Sequence, residues 1–346
     1  MRDVAVVAFT QTVHTGADSG LSEVELLAPV LHEIKESTGV SRFGFTCSGS
    51  CDYLAGAPFS FVSALDAVGA WPPISESHVE MDAAWALYEA WVKLLHEDID
   101  TALVYGFGKS SQGDLREIMT LQLDPYYLAP LGPDQVSLAA LQAQAYLRRS
   151  GAKEDDLRAV AARSRAAGRG NPCALDLPEP VGDEEYEVAP LRPYDIAPIT
   201  DGAAAIVLAA GDKAYELCER PAWIRGIDHR ADAHALGARD LSRAESAGLA
   251  GQRAGATGIE VAELHAQFSH EELMLREALG LPDDVPVNPS GGALAANPVM
   301  ATGLIRIGEA AARIFTGKAR RTLGHAASGP CLQQNLVCVL EGDARG

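Results

Sequence analysis

The sequence has little positive charge and no apolar run long enough to cross a membrane. Its 346 residues include 28 Lys and Arg but 47 Asp and Glu, so the formal net charge is −19. Proteins that bind nucleic acids or anionic membranes usually carry a basic surface, so we expect neither as the main partner. Apolar stretches such as residues 203–210 are far shorter than the roughly 18 residues of a spanning helix. With 47% hydrophobic residues, the chain is expected to fold around a sizeable core.

The cysteines and histidines form no pattern that is typical of a metal site. The six cysteines lack the paired spacing of a zinc site, and no two histidines lie four residues apart. We therefore expect no metal and no other bound cofactor. The N-terminal segment is typical of a strand and lacks the charged and apolar regions of an export signal. The corresponding prediction is a cytoplasmic protein with reduced cysteines.

Strand and helix patterns alternate along the chain in two halves. Apolar runs rich in valine, isoleucine and alanine alternate with stretches of helical spacing, which predicts an α/β protein with a parallel sheet and crossover helices. The pattern occurs twice, so we expect two pseudo-duplicated halves at residues 1–215 and 216–346. Residues 110–195 are rich in proline and amphipathic helices, and we interpret them as an inserted lobe over the site.

Four segments in the later part of the chain resemble motifs of one enzyme family. Residues 198–208 (PITDGAAAIVL) resemble a segment that precedes a core strand, and residues 263–269 (ELHAQFS) resemble E-L-H-D-C-F-S. Residues 287–292 (VNPSGG), followed by 301–303 (ATG), resemble N-P-S-G-G and A-T-G, while residues 332–336 (LQQNL) resemble L-Q-H-N-L. In this order the motifs resemble the thiolase superfamily, in particular sterol-carrier-protein-x-type thiolases and actinobacterial lipid-transfer-protein thiolase-like proteins.

This resemblance implies a fold, a substrate and partners. The fold would be the five-layered αβαβα thiolase fold, built from two pseudo-duplicated halves and usually dimeric. The substrate would be an acyl-CoA thioester from the degradation of lipids or steroids. The partners would be a second thiolase-like chain, in a dimer or heteromer, and the OB-fold and zinc-ribbon protein that accompanies some of these proteins.

The resemblance also indicates which catalytic positions differ. The family's nucleophilic cysteine begins a buried helix, whose N-terminus and a histidine activate the thiolate. Depending on the register, that position falls on Glu80 or on Ala83, and neither is a cysteine. The family's second cysteine falls on Gln267, and its G-H-P histidine falls on Asn297. Only His265 keeps the family's catalytic residue type.

Three functions are compatible with these differences. The chain could be a non-catalytic subunit that stabilises a catalytic thiolase-like partner in a heteromer. It could instead break a carbon–carbon bond by a retro-aldol reaction, which needs a base and enolate donors but no acyl-enzyme. The candidate catalytic residues are then His265, His78, Glu80 and Asn297. Thiolysis through another cysteine is the third alternative, and Cys331, next to the L-Q-Q-N-L segment, lies near the family's catalytic loop.

Arginine and glycine supply the candidate CoA contacts. Six arginines lie within 22 residues of an otherwise acidic chain, namely Arg148, Arg149, Arg158, Arg163, Arg165 and Arg169. The resemblance places CoA contacts in this lobe, so Arg163 and Arg165 are candidates for phosphate contact, with a solvated helix face as the alternative. Gly291 and Gly292 indicate a backbone that takes an unusual φ and closely approaches a ligand or a dimer mate.

Overall fold

The structure is a computed structural model that describes residues 2–16, 20–56, 58–182 and 184–343. The predicted halves, 1–215 and 216–346, and the predicted lobe extend over the few residues outside these ranges. The predicted boundary between the halves lies within a short helix, Asp212–Leu217, and stays a prediction. All six cysteines are free, and no helix in the described part of the chain is long and apolar enough to cross a membrane.

Nine strands of the described residues form one mixed sheet. They are β1 (Val4–Gln11), β2 (Phe45–Gly49), β3 (Glu76–Val79), β4 (Thr101–Lys109), β5 (Asp201–Ala210), β6 (Ala222–Ala231), β7 (Val261–Glu263), β8 (Arg321–Ser328) and β9 (Gln334–Glu341). Their order is β3-β2-β4-β5-β1-β6-β9-β8-β7. Only β2–β3, β2–β4 and β7–β8 pair in parallel. The predicted parallel sheet is therefore wrong for most pairs, because β5 and β9 run antiparallel to both of their neighbours.

Eleven α-helices of the described residues surround and divide this sheet. They are α1 (Glu23–Thr38), α2 (Asp52–Ala55), α3 (Ala64–Val68), α4 (Ala83–Leu94), α5 (Leu115–Thr120), α6 (Gln135–Ser150), α7 (Glu154–Gly168), α8 (Asp212–Leu217), α9 (Glu245–Ala254), α10 (Ser269–Ala278) and α11 (Thr302–Phe315). The helices α5, α6 and α7 lie between β4 and β5 in the chain, and α6 and α7 pack on α10.

Three buried clusters separate five layers. The largest cluster lies between the two parts of the sheet and contains α4 and α11. A second cluster joins the outer face of β1, β4 and β5 to α1 and α3. A third joins the outer face of β7, β8 and β9 to α9 and α10. The predicted five-layered αβαβα architecture is confirmed, and a short β1–β6 contact, with Ala5 opposite Trp223, joins the two parts of the sheet.

The central helices carry small residues because they are covered on all sides. Ala83, Ala84 and Ala90 of α4 are fully buried, as is Gly308 of α11. A Cβ atom on Gly308 would lie 2.1 Å from the ring of Phe9, so the side chain of any other residue would push α11 away from β1. This tight packing fixes where the N-termini of α4 and α11 lie, and both point to the candidate site.

Candidate active site

Two adjoining cavities lie where the helices α5 and α6 cover the ends of α4, α10 and α11. The inner pocket has a volume of about 70 Å³. Its polar lining residues are Asp82, Gln122, Gln135, His265, Gln267, Glu271 and Ser328. The outer pocket has a volume of about 300 Å³ and meets the inner one at Gln135, Gln267, Phe268 and Val299. Within the described residues, no group of three or more His, Cys, Asp or Glu side chains could hold a metal ion.

His265 lies in the inner pocket as a neutral hydrogen-bond donor. The backbone N–H of Ala327 donates to His265 Nδ1 over 3.3 Å, so Nδ1 must be the unprotonated ring nitrogen. The proton of the neutral imidazole therefore lies on Nε2. Burial, followed by the charges of His325 and Arg306, lowers the pKa of His265 to about 3, which keeps the ring neutral at physiological pH.

Gln267 holds the ring proton of His265. Its amide nitrogen is placed 3.3 Å from His265 Nε2. Two N–H donors cannot bond to each other, so we assign the carboxamide in the flipped orientation, with its oxygen as the acceptor of the Nε2 proton. A ligand oxygen can replace this uncharged acceptor without leaving a buried charge behind. Gln267 itself has no titratable proton, so it cannot perform the proton transfer that the resemblance assigns to a cysteine at this position.

Asp82 joins the N-termini of the two central helices below the pocket. Its Oδ1 accepts the N–H groups of Ala84, at 2.9 Å, and Leu304, at 3.1 Å, while Oδ2 accepts that of Gly303 at 2.8 Å. Burial raises the pKa of Asp82 to about 6, although these three donors and the charge of Arg306 oppose the rise. Asp82 is thus the N-cap of α4, from the first half, and its carboxylate also accepts two N–H groups from the first turn of α11, from the second half.

Glu271 is a second buried carboxyl in the inner pocket. Its Oε2 accepts the backbone N–H groups of Gln267, at 2.8 Å, and Phe268, at 3.2 Å. Burial raises the pKa of Glu271 to about 7, and the two N–H donors oppose the rise. The side chain therefore exchanges a proton near neutral pH, in the same pocket as His265.

Cys331 lines the inner pocket, but as a thiol. Its Sγ–H donates to the carbonyl oxygen of Leu138 at 3.4 Å. Burial raises the pKa of Cys331 to about 12, so the nucleophilic thiolate is scarce at neutral pH. Arg239 does not correct this, because it donates to the carbonyl oxygens of Cys331 and Pro330 and not to the sulfur.

The outer pocket combines an apolar wall with polar side chains. Its apolar wall contains Leu115, Val136, Leu177, Ile196 and Ile199. Arg116, Arg165 and Asn297 supply polar groups. Asn297 Oδ1 accepts a hydrogen bond from Thr302 Oγ1 at 2.9 Å, which leaves the amide nitrogen without a partner among the described residues. The outer pocket can therefore hold an apolar ligand that also carries an acceptor.

Glu80 and His78 lie outside both pockets. Helix α4 begins at Ala83 and is capped by Asp82, so the register that placed Glu80 at the start of the helix is wrong and the alternative, Ala83, fits. The half-exposed Glu80 lies 3.3 Å from His78 Nε2 and accepts the N–H of Asp52. The structure thus brings Glu80 and His78 together, but apart from His265, and their acid or base role stays a prediction.

Gly291 and Gly292 form a tight turn inside the protein. Their φ angles are +101° and +64°, as the sequence indicates. A Cβ atom on Gly291 would lie 2.8 Å from the Cα of Gly168 in α7, and one on Gly292 would meet the Asn288 side chain. Neither glycine lines the two pockets described above. The close approach is thus to the chain's own lobe, and contact with a ligand or dimer mate stays a prediction.

The turn is also held by a buried ion pair. Glu263 accepts hydrogen bonds from Arg306, at 3.0 Å, and from Ser290 Oγ, at 2.6 Å. Asn288 Oδ1 accepts the N–H of Leu264, next to His265. The E-L-H and N-P-S-G-G segments therefore form one scaffold that positions His265.

The two candidate arginines for CoA differ in their surroundings. Arg163 forms an ion pair with the buried carboxylate of Glu272, so its charge is already neutralised. Arg165 lines the outer pocket, where it donates to the carbonyl oxygen of Pro178 at 2.6 Å, and its Nε has no partner among the described residues. Of the pair, only Arg165 lines one of the two pockets described above, and contact of either arginine with CoA stays a prediction.

Sequence reasoning missed Asp82 and Glu271. Asp82 lies between the two weighed positions, Glu80 and Ala83, and the only available signal was an aspartate directly before a helix of small residues. For α10, the spacing in Ser269-His270-Glu271-Glu272 suggests a cap by Ser269 with Glu272 as its partner. The structure gives the capping role to Glu271 instead, since Glu272 pairs with Arg163 and Asn288.

Comparisons of sequence find relatives but no family model that matches. Acetyl-CoA acetyltransferase of Methanothermobacter thermautotrophicus is 28% identical over 216 residues, which are 54% of this chain and 56% of that protein. Acetyl-CoA acetyltransferase of Methanocaldococcus jannaschii is 28% identical over 277 residues, or 68% and 70% of the two chains. A 17-hydroxy-3-oxo-4-pregnene-20-carboxyl-CoA lyase of Mycobacterium tuberculosis is 34% identical over 90 residues, or 25% and 23%. The match thus spans little more than half of the first relative.

Comparison with solved structures covers nearly the whole chain. A chain of a structure described as "Ltp2-ChsH2(DUF35) aldolase" matches with a TM-score of 0.81 over 99% of this chain and 98% of that one. The chain has a thiolase-like fold. At 20% sequence identity this structural likeness concerns the fold alone, while the similarity to the two acetyltransferases supports a thiolase-like relationship in sequence.

Proposed function

We propose that this thiolase-like chain is a lyase that cleaves the Cα–Cβ bond of a β-hydroxyacyl-CoA thioester, in the degradation of a lipid or steroid. The observation that carries the proposal is the inner pocket itself, in which the neutral Nε2–H donor of His265 faces the same cavity as buried carboxyl groups. The names of a carboxyl-CoA lyase and an aldolase among the similar proteins favour this reaction over thiolysis. The high pKa of Cys331 also disfavours thiolysis.

The proposed reaction uses each group for a task that its geometry allows. A base takes the proton of the β-hydroxyl group, the Cα–Cβ bond breaks, and its electrons form the enolate of the thioester. The enolate oxygen replaces Gln267 as the acceptor of the His265 Nε2–H. The carbonyl product then leaves, and a proton returns to Cα to give the shortened acyl-CoA.

The outer pocket is proposed to hold the part of the substrate next to the reacting centre. Its wall is apolar, as a lipid-derived or steroid-derived substrate requires, and it meets the inner pocket at Phe268 and Val299. Arg165 and the amide nitrogen of Asn297 supply donors for carbonyl or phosphate oxygens. In the proposed reaction, CoA is part of the substrate and not a resident cofactor.

The test is turnover of defined thioesters by the purified chain. Release of a ketone or aldehyde and of a shortened acyl-CoA from a β-hydroxyacyl-CoA, followed by mass spectrometry, is the expected result. His265→Ala should lower turnover by about 10²-fold or more, because one oxyanion donor is lost. His229→Ala, on β6 outside both pockets, serves as the control. No cleavage by the wild-type chain, alone or with a thiolase-like partner, would overturn the proposal.

We propose, as a second function, that the chain works as one subunit of a heteromer with a second thiolase-like chain or an OB-fold and zinc-ribbon protein, in the cytoplasm. The observation that favours a partner is the exposure of large aromatic side chains: Trp71 is 87% exposed, Tyr126 is 82% exposed and Tyr127 is 80% exposed. Exposed aromatic groups are enriched at protein interfaces. The two tyrosines closely follow Leu123, which lines the inner pocket, so a partner there would adjoin the site.

A further inference from the structure

Two carboxyl groups in the inner pocket could accept the hydroxyl proton, and their hydrogen bonds distinguish them. Asp82 and Glu271 are both buried, and both line the cavity. A general base needs a carboxylate oxygen that can reach the proton of the substrate. The better base is therefore the carboxylate with an oxygen that does not already accept hydrogen bonds from the protein.

Asp82 has little capacity left. Its two oxygens accept three backbone N–H groups, two on Oδ1 and one on Oδ2. These donors come from α4 and α11, so movement of the carboxyl toward a substrate would expose the N-termini of both central helices. Hydrogen bonds to the charged form also make a carboxylate a weaker base. Asp82 is thus a structural group that joins the two halves.

Glu271 divides its two oxygens between structure and pocket. Both N–H donors, from Gln267 and Phe268, are on Oε2. Oε1 has no hydrogen-bond partner among the described residues. It is also not among the fully buried side-chain atoms that lack a partner, so part of its surface is accessible. The backbone thus fixes the carboxylate at one oxygen and leaves the other accessible in the cavity.

The surroundings of Glu271 suit a proton acceptor beside an enolate. His265 lies on the connection between β7 and α10, and Glu271 lies six residues later in the first turn of α10, so one short segment carries both the donor and the carboxylate. The other titratable groups that line the pocket are Asp82 on the α4 side and Cys331 on the β8–β9 connection. The lining contributed by α5 and α6 is uncharged, so no cation there holds Glu271 in its ionised form.

We propose that Glu271 is the general base of the lyase reaction, an inference that rests on the function proposed above. Oε1 takes the proton from the β-hydroxyl oxygen, and the C–O bond at Cβ becomes a carbonyl as the Cα–Cβ bond breaks. The electron pair moves to the thioester enolate, whose oxygen is held by His265. After the carbonyl product leaves, Glu271 returns the same proton to Cα, so the reaction needs no other acid. The pKa near 7 means that the group can both take and return a proton at neutral pH.

The adjacent glutamate provides a matched control. Glu271→Gln keeps the size of the side chain and an oxygen for the N–H groups of Gln267 and Phe268, but it cannot accept a proton at neutral pH. Glu272→Gln makes the same change one residue away, at a buried carboxylate that pairs with Arg163 and Asn288 and does not line either pocket. Stability is compared by urea unfolding, and binding of a non-cleavable acyl-CoA by calorimetry, to show that both pockets remain intact.

The expected result is a loss in kcat of about 10²-fold or more for E271Q, with KM changed by less than about threefold. The E272Q variant should keep turnover within about threefold of the wild type. The wild-type rate should also fall as pH drops below about 7, since the base becomes protonated. Difference infrared spectra, wild type minus E271Q, should show a carboxyl band that titrates near neutrality without any substrate.

Two outcomes separate the inference from the function on which it rests. An active wild type with an equally active E271Q would overturn the role of Glu271 and leave the lyase function standing. A wild type that binds acyl-CoA but cleaves no β-hydroxyacyl-CoA would overturn the lyase function and the base with it. If E271Q proves unstable, Glu271→Asp keeps the charge, and full activity of this shorter side chain would contradict a base that acts through a fixed Oε1.

Discussion

Asp82 shows how one residue can hold two distant parts of the chain together. Its carboxyl group accepts N–H groups from α4 and α11, which are more than two hundred residues apart in sequence. The same residue forms part of the inner pocket. Its ionisation therefore affects the stability of the fold as well as the electrostatics of the site, and the two effects can be separated by pH.

Asp82→Asn should change how stability depends on pH. Burial raises the pKa of Asp82 in the folded state to about 6, above the ordinary aspartate value of 3.8, so the folded protein binds this proton more tightly than the unfolded chain does. The resulting stabilisation is present at low pH and is lost as pH rises through about 6. We therefore subtract the free energy of unfolding of D82N from that of the wild type. This difference should fall by roughly 1 kcal/mol between about pH 5.5 and about pH 7.5.

A second capping aspartate serves as the control for this prediction. Asp134 caps α6 by accepting the N–H of Ser137 at 2.7 Å, but its pKa is lowered, with burial as an opposing cause and the Ser137 and Arg116 hydrogen bonds as the lowering causes. The contribution of Asp134 is therefore constant across this pH range, and Asp134→Asn should shift stability equally at each pH. Urea unfolding at four pH values provides the measurement. A parallel pH dependence for D82N and D134N would contradict the assignment of the titrating group.

The sequence predicts the donor of the site but not its carboxylates, for a physical reason. His265 is identifiable because its neighbours form a recognisable motif. Glu271 and Glu272 are adjacent glutamates at the start of one helix, and spacing alone gives the capping role to Glu272. Only packing shows that Glu272 faces Arg163 while Glu271 faces the cavity. The first residue of a helix is uncertain by a few positions in any sequence pattern, so the sequence offers Glu80 and Ala83 as alternatives and does not single out Asp82 between them.

At the scale of elements, the Gly291–Gly292 turn connects the second half to the lobe. Gly291 has a φ of +101° and lies against Gly168 at the end of α7. A hydrogen bond from Asn171 Nδ2 to the carbonyl oxygen of Ser290, 3.1 Å long, ties the loop after α7 to the same turn. Because the turn has no side chain at Gly291, it lets α7 lie close to the segments that position His265.

Gly291→Ala should therefore lower the free energy of unfolding by more than a glycine replacement at an open turn does. Its Cβ atom would lie 2.7 Å from the Cβ of Ala295 and 2.8 Å from the Cα of Gly168, so backbone must move. Gly39 has a φ of +67°, but a Cβ atom there would meet nothing within 4 Å. Gly39→Ala should cost about 1 kcal/mol for its φ alone, and Gly291→Ala about 1–3 kcal/mol more, measured by urea unfolding. Equal losses in the two variants would show that the turn can relax.

Elements that depend on their neighbours were the ones that the sequence did not predict. Strand β3 is a short, polar edge strand, Glu76–Val79, which pairs with β2 at the end of the strand order. Strand β8 contains Gly324 and His325, which are poor strand formers, yet a Cβ atom at position 324 would lie 2.7 Å from the Cα of Ile307. Tertiary packing requires a glycine there and overrides the local preference. The long apolar strands and amphipathic helices, such as β5 and α6, have the hydrophobic periodicity that predicts their type.

At the scale of the whole molecule, the sequence predicts two halves but not how the strands are ordered. Hydrophobic periodicity is the same for parallel and antiparallel strands when both faces are covered, as in β5, where every residue is buried. The direction of β5 depends on the long connection from β4, through residues 110–200, whereas β9 follows β8 after only five residues, 329–333. The five layers were implied by the family resemblance and the lobe by its composition, whereas the mixed sheet follows from the order and direction of the strands.

The exposed tyrosines of the lobe, Tyr126 and Tyr127, form the surface that we expect to contact the proposed partner. Tyr126 and Tyr127 lie on a turn whose backbone N–H groups are both held by Asp124 Oδ1, so the turn does not depend on the two rings. The double variant Tyr126→Ser and Tyr127→Ser should thus keep the stability of the chain. It should weaken binding of a co-purified thiolase-like partner by about tenfold or more, since buried tyrosines are frequent hot spots.

Sedimentation velocity with the chain alone and with the partner measures this effect. Leu249→Ser, which removes a half-exposed apolar side chain on the outer helix α9, is the control for a general loss of surface hydrophobicity. Because the tyrosines adjoin Leu123 of the inner pocket, loss of the partner should also change turnover. Full binding and full turnover by the double variant would show that the partner lies elsewhere, and Trp71 near the free edge of β3 would then be the surface to change.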